Sequence, residues 1–175
     1  MFAEDNKRIV RRFVEEMLAG HNLAVADQLF TADFIDHDAD DPNGHISGVE
    51  GARAEVGAFL AAFPDMRVTV DDLIAEGEKV VLRGTLRGTH GGDLQGLPPT
   101  GKQVTVWAWQ TYRLTGGKIA EAWLHVDRLG LLQQVGALPE PAQAVAPTTW
   151  NASPRDSQGN VALRSVAHAQ AGGQS

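Results

Sequence analysis

Apolar residues recur every three to four positions in this chain as far as Pro64 and every second position beyond it. A period near 3.6 buries one stripe of a helix and a period of 2 buries one face of a strand, so the chain must pack an N-terminal helical layer against a C-terminal sheet. In the first half, Ile9, Val10, Phe13, Val14, Met17 and Leu18 form the inward stripe of a helix over 4–18 that Gly20 ends. Asn22 can cap a second short helix reaching Phe30, with Leu23, Ala26, Leu29 and Phe30 inward. A third runs from near Ser47 to Phe63, with Val49, Ala52, Val56, Phe59, Leu60 and Phe63 inward, and is closed by Pro64. Alternation then predicts strands at Met66–Ala75, Lys79–Thr89, Gln103–Leu114 and Lys118–Val126. Glu76-Gly77-Glu78 and Thr115-Gly116-Gly117 are short enough to make neighbouring strands antiparallel hairpins, whereas Gly91–Lys102 is too rich in Gly and Pro to be a strand. A final helix is expected over Arg128–Val135, stopped by Gly136 and Pro139. The fold class is therefore α+β, with three helices covering one face of a meandering antiparallel sheet and a cavity at its wide end.

The 175 residues suit one domain, expected over 1–138. Residues 139–175, dominated by Ala, Pro, Gln, Ser and Gly, predict a mostly disordered tail with a weak helix at 160–170. Hydrophobic and charged fractions of 43% and 21% are those of a globular protein, and no apolar run approaches the ~20 residues of a membrane span. The first residues, Met1-Phe2-Ala3-Glu4-Asp5-Asn6-Lys7-Arg8, have no secretory pattern, so a cytoplasmic location is expected. With no cysteine, disulfides, thiolate metal sites and cysteine nucleophiles are excluded. A net charge of −7 with scattered basic residues argues against a nucleic-acid partner.

Strand phase sorts the candidate site residues. Gln110 and Tyr112 fall on one side with Val104, Val106 and Ala108, so that face is apolar with a single amide. On the next strand Glu121, Trp123, His125 and Asp127 are in phase, and Asp127 ends the strand. A carboxylate there, beside apolar and aromatic neighbours, would gain basicity by desolvation and suit proton transfer; equally, aspartate is a preferred N-cap and could simply cap the helix that follows. His90, in phase with Val80, Leu82 and Leu86, and His37, in an acidic loop, are candidates to line a pocket, against the alternative that each is a structural or surface histidine. Trp107 and Trp109 point the other way and form an outer apolar patch of the kind that meets another chain.

Five segments carry a resemblance: Phe63-Pro64-Asp65-Met66-Arg67-Val68, Leu86-Arg87-Gly88-Thr89-His90, Gly96-Leu97-Pro98-Pro99-Thr100-Gly101-Lys102, Gly117-Lys118-Ile119-Ala120-Glu121-Ala122-Trp123, and Asp127-Arg128-Leu129-Gly130-Leu131-Leu132-Gln133-Gln134-Val135-Gly136. In order and spacing they resemble the SnoaL-like polyketide and ester cyclases, and with Asp36-His37-Asp38 the similarity spans about residues 5–139. The resemblance implies the cone-shaped fold of the nuclear-transport-factor-2-like superfamily, and fold more firmly than reaction. It also implies that Asp127 is a general acid and base and that Gln110 is a second polar residue of the pocket, where a characterised cyclase has histidine. An amide can orient or donate a hydrogen bond but cannot exchange a proton at neutral pH. Phe63, Tyr112, Trp123 and His125 join His37 and His90 as candidate substrate contacts, and pairing of relatives through the tryptophan face implies a homodimer.

The expected reaction is an intramolecular aldol cyclisation of a polyketide-type or other small apolar carbonyl substrate, Asp127 moving the proton. No metal or organic cofactor is expected, because the substrate's own carbonyls stabilise the carbanion. The alternatives are a hydrolase, dehydratase or isomerase on the same fold, or a non-catalytic ligand-binding or dimerisation module in which Asp127 is only a cap. Two motifs are set aside. Asp36-His37-Asp38-Ala39-Asp40-Asp41 starts like a calcium loop but has Asp41 at the turn glycine and Ser47 at the bidentate glutamate, so it reads as a solvated acidic turn. Gly96–Lys102 starts like a phosphate loop but is followed by Gln103 in place of the magnesium-binding hydroxyl and contains two prolines.

Overall fold

The first helix, α1 (Phe2–Arg12), carries Glu4 and Asp5 in its first turn and Arg11 and Arg12 in its last, the arrangement that suits the helix dipole. It continues as a π turn over Phe13–Leu18, in which the Ala19 N–H reaches back to the Val14 carbonyl at 2.8 Å. The structure, a computed structural model, describes residues 2–37 and 46–139; the tail and the weak helix expected at 160–170 lie outside the described residues. Asn22 caps a 3₁₀ turn, Leu23–Val25, by accepting from the Ala24 N–H, and α2 (Ala26–Leu29) follows.

The second helix stops one residue short of the expectation because Phe30 opens a strand. That strand, β1 (Phe30–Asp36), is followed by the two-residue β2 (Ile46–Ser47), α3 (Gly48–Ala62), β3 (Arg67–Glu76), β4 (Lys79–Thr89), β5 (Gln103–Thr115), β6 (Lys118–Val126) and α4 (Arg128–Val135). The sheet order is β2-β1-β6-β5-β4-β3. The expected antiparallel meander holds for β3 to β6, but β1 lies parallel to β6, which makes the sheet mixed. In Phe30-Thr31-Ala32-Asp33-Phe34-Ile35-Asp36 the buried positions include an aspartate, which conceals the alternation from a reading of apolar residues alone.

Gly116 and Gly117 both take positive φ, 55° and 77°, as a two-residue turn that matches the strand twist requires. Register shifts at Val70/Asp72 and Arg113/Leu114 mark bulges, which sharpen a sheet's curvature. Val80, Leu82, Val104, Val106, Tyr112, Leu114, Ile119 and Ala122 are buried on the inner face against Val10, Phe13 and Met17 of the N-terminal helix, Val56 and Leu60 of α3, and Leu131 and Val135 of α4. Among the described residues no helix is long and apolar enough to cross a membrane.

Candidate active site

Cross-strand register defines the inner face row by row. Val80, Tyr112 and Ala122 are partners on β4, β5 and β6, and Asp36 of β1 joins them beside Ala122; the next row holds Leu82, Gln110 and Leu124, and the next Gly84, Ala108 and Val126. Tyr112 is buried, its ring edge-on to Phe13 at 5.9 Å, and its hydroxyl donates to Gln110 Oε1. Gln110 itself is only half-buried on a face whose neighbours Ala108, Tyr112 and Leu82 are buried. Burial holds the Tyr112 phenol well above its ordinary pKa, and the carboxylates of Asp36 and Glu55 add to the effect, so the hydroxyl keeps its proton.

Asp36 is the polar inner-face residue that the sequence reading missed. The acidic run beginning there reads as a solvated turn, yet Asp36 is 7% exposed at the end of β1. Its signal is the spacing from Phe34, two positions earlier and on the same side of the strand. Adjacent residues of the same motif separate: His37 lies on the outer side, its ring stacked on Trp123 with centroids 4.7 Å apart and planes at 8°. His37 Nε2 is 2.9 Å from Glu121 Oε2, and Arg113 Nε donates to Glu121 Oε1 at 2.6 Å. These bonds, that from His37 foremost, hold the Glu121 carboxyl below its ordinary pKa.

The expected pocket residues thus divide. Gln110 and Tyr112 come together on the inner face, and Phe63 and His90 pack against each other there, ring centroids 5.6 Å apart, with exposures of 2% and 0%. His90 Nδ1 meets the Thr100 hydroxyl at 3.0 Å, and its Nε2 is buried with no hydrogen-bond partner among the described residues. Phe63 and His90 are therefore core groups in this conformation. His37, Trp123 and His125 lie on the outer face, His125 in register with the exposed Trp109. The outward placement follows from the phase that puts Ala122 and Leu124 inward.

Asp127 follows the last residue of β6 and caps α4: its Oδ1 accepts from the Gly130 N–H at 2.8 Å, and the residue is exposed. Its carboxylate lies so close over Gly130 that a Cβ there would overlap Oδ2. Asp127 stands three residues beyond Leu124, the partner of Gln110, about 10 Å along the strand at its usual rise. The two expected catalytic residues are therefore not in contact with each other. An open groove of about 570 Å³ beside Ala19, His21 and Pro64–Thr69 holds none of the candidate residues. Among the described residues no three His, Asp or Glu side chains gather as a metal site would need.

A family model for SnoaL-like polyketide cyclases matches residues 8–135, well over half of the chain and all of the elements that build this face. The chain belongs to the SnoaL-like polyketide cyclase family. Solved structures of family members have the same fold. A candidate SnoaL-like polyketide cyclase from Jannaschia sp. CCS1 is 26% identical, with a TM-score of 0.71 over 78% of this chain and 95% of that one. A candidate polyketide cyclase from Acidithiobacillus ferrooxidans is 31% identical, with a TM-score of 0.68 over 75% of this chain and 94% of that one. AclR from Streptomyces galilaeus, a candidate hydroxylase, is 26% identical, with a TM-score of 0.70 over 81% and 87% of the two chains. The fold of this SnoaL-like chain is thus shared by proteins assigned to different chemistries. No curated protein matches the sequence.

Proposed function

We propose that this SnoaL-like chain is a cofactor-independent acid–base enzyme that closes a ring in a polyketide-type or other small apolar carbonyl substrate by intramolecular aldol addition. The observation that carries the reading is the half-buried Gln110 amide on a mainly apolar inner face whose other polar groups, Asp36, His90 and Tyr112, are buried. An apolar face with one open polar group suits a ligand that is mostly hydrocarbon with a carbonyl at a fixed place. Asp127 removes a proton from a carbon flanked by carbonyls, the enolate attacks a ketone of the same molecule, and the alkoxide takes the proton back. General acid–base help of this kind is worth roughly 10²–10⁴-fold, and holding a flexible substrate folded adds an entropic share. With Asp127→Asn, turnover of a poly-β-carbonyl substrate should fall by about that factor; full retention of rate would refute the assignment. Running the reaction in ¹⁸O-labelled water separates a hydrolase from the aldol enzyme, since a hydrolase product gains the label by bond cleavage and the aldol carbon framework forms without water.

A second reading, a non-catalytic ligand-binding module, is favoured by the exposed, capping position of Asp127. It predicts that Asp127→Asn alters stability alone. On either reading we propose a cytoplasmic homodimer paired through the outer sheet face, supported by the 65% and 55% exposure of Trp107 and Trp109.

A further inference from the structure

A primary amide has two ends of opposite sense, an acceptor oxygen and a donor NH₂, and the end offered to a ligand is decided by what holds the other. In Gln110 the oxygen is held: the Tyr112 hydroxyl, two residues along β5 on the same face, donates to Oε1. The NH₂ has no hydrogen-bond partner among the described residues and is not one of the buried unpartnered groups, so this end of the half-buried side chain is open. We propose that Tyr112 is a positioning residue that turns the Gln110 amide so that its NH₂ faces the ligand, making the inner face a receptor for carbonyl and enolate oxygens.

The inference rests on the reading of that face as the substrate site, but it does not depend on any proton transfer by Asp127. Tyr112 can serve because it is fixed and neutral. Its ring is buried against Phe13, and the low-dielectric setting beside the Asp36 and Glu55 carboxylates keeps the proton on the phenol, so it remains a donor. Without the hydroxyl the amide could rotate and present its oxygen, which repels a ketone. A hydrogen bond from the NH₂ would also strengthen as an enolate develops negative charge, which is where such a donor assists reaction.

The test uses the full chain and a matched pair of probes, 2-acetylnaphthalene labelled with ¹³C at the carbonyl and 2-ethylnaphthalene, which lacks it. Infrared spectroscopy reads the bound carbonyl stretch, and tryptophan fluorescence reads both affinities. Wild type should lower the stretch relative to Gln110→Leu. Tyr112→Phe, which keeps the ring, should lose most of that lowering and weaken ketone binding about five- to tenfold, the value of one hydrogen bond. Its affinity for 2-ethylnaphthalene should be unchanged, which a merely structural defect would not allow. Asp127→Asn should keep the full shift, so a failed aldol assignment and a failed Tyr112 assignment give different results. The proposal is overturned if wild type does not bind the ketone, if Tyr112→Phe keeps the wild-type stretch, or if ketone and hydrocarbon affinities fall together.

Discussion

Gly130 and Asp127 are matched residue to residue. The carboxylate occupies the place a Cβ at 130 would take, so a side chain at 130 would push the capping carboxylate aside. On helix propensity alone Gly130→Ala would stabilise α4 by about 1 kcal/mol. Displacing the cap costs about as much, and Asp127→Ala is expected to lose roughly 0.5–2 kcal/mol in urea unfolding. We therefore predict that Gly130→Ala brings no gain in wild type but stabilises the Asp127→Ala background, where nothing is left to displace. A gain of similar size in both backgrounds would show that the two residues are independent. The cap at Asp127 was legible in the sequence, since the residue follows an alternating strand and opens a helix; the catalytic role proposed for it came from the family resemblance. In the structure the cap is the hydrogen bond from the Gly130 N–H to Asp127 Oδ1.

At the scale of elements, β1 is held to β6 by strand pairing and by a cluster on the outer face, with Glu121 between His37 and Arg113 and Trp123 stacked on His37. The folded state holds the Glu121 carboxyl below its ordinary value of 4.5. Its contribution is therefore complete above that value and disappears as pH falls through the lowered one. Melting temperatures of wild type and Glu121→Gln should accordingly differ at pH 7 and converge as the pH is taken down below 4.5; a constant difference would remove Glu121 from the linkage. The strands β4 and β6 and the helix α4 could be read from the sequence to the residue, because each is an uninterrupted period bounded by Gly, Pro or a cap. Strand β1 could not, because it is parallel, short and ends on a buried aspartate. Parallel pairing with β6 brings together residues more than 80 positions apart, and no local pattern encodes that contact.

For the whole molecule, the two faces of the sheet have different tasks. Among the described residues the inner face is apolar core apart from Asp36, His90, Tyr112 and Gln110, while the outer face exposes Trp107 and Trp109. If the outer face joins two copies, Trp107→Glu with Trp109→Glu should shift the sedimentation coefficient from dimer to monomer and leave the far-UV circular dichroism unchanged; a wild type that already sediments as a monomer would contradict the pairing. Alternation assigned Gln110 and Tyr112 to one face and the tryptophans to the other, and the register agrees. It could not show that Phe63 and His90 are sealed inside the core, since burial depends on how helices and loops close over the sheet. Nor could it show that Asp127, just beyond the end of β6, is exposed and about 10 Å from the row that carries Gln110. The central claim, that this chain moves a proton at a carbon between two carbonyls, is most directly tested by NMR of a 1,3-diketone with a naphthyl substituent in deuterated buffer. Wild type should speed hydrogen–deuterium exchange at the central carbon about 10²-fold or more over Asp127→Asn; equal exchange with the two proteins would contradict it.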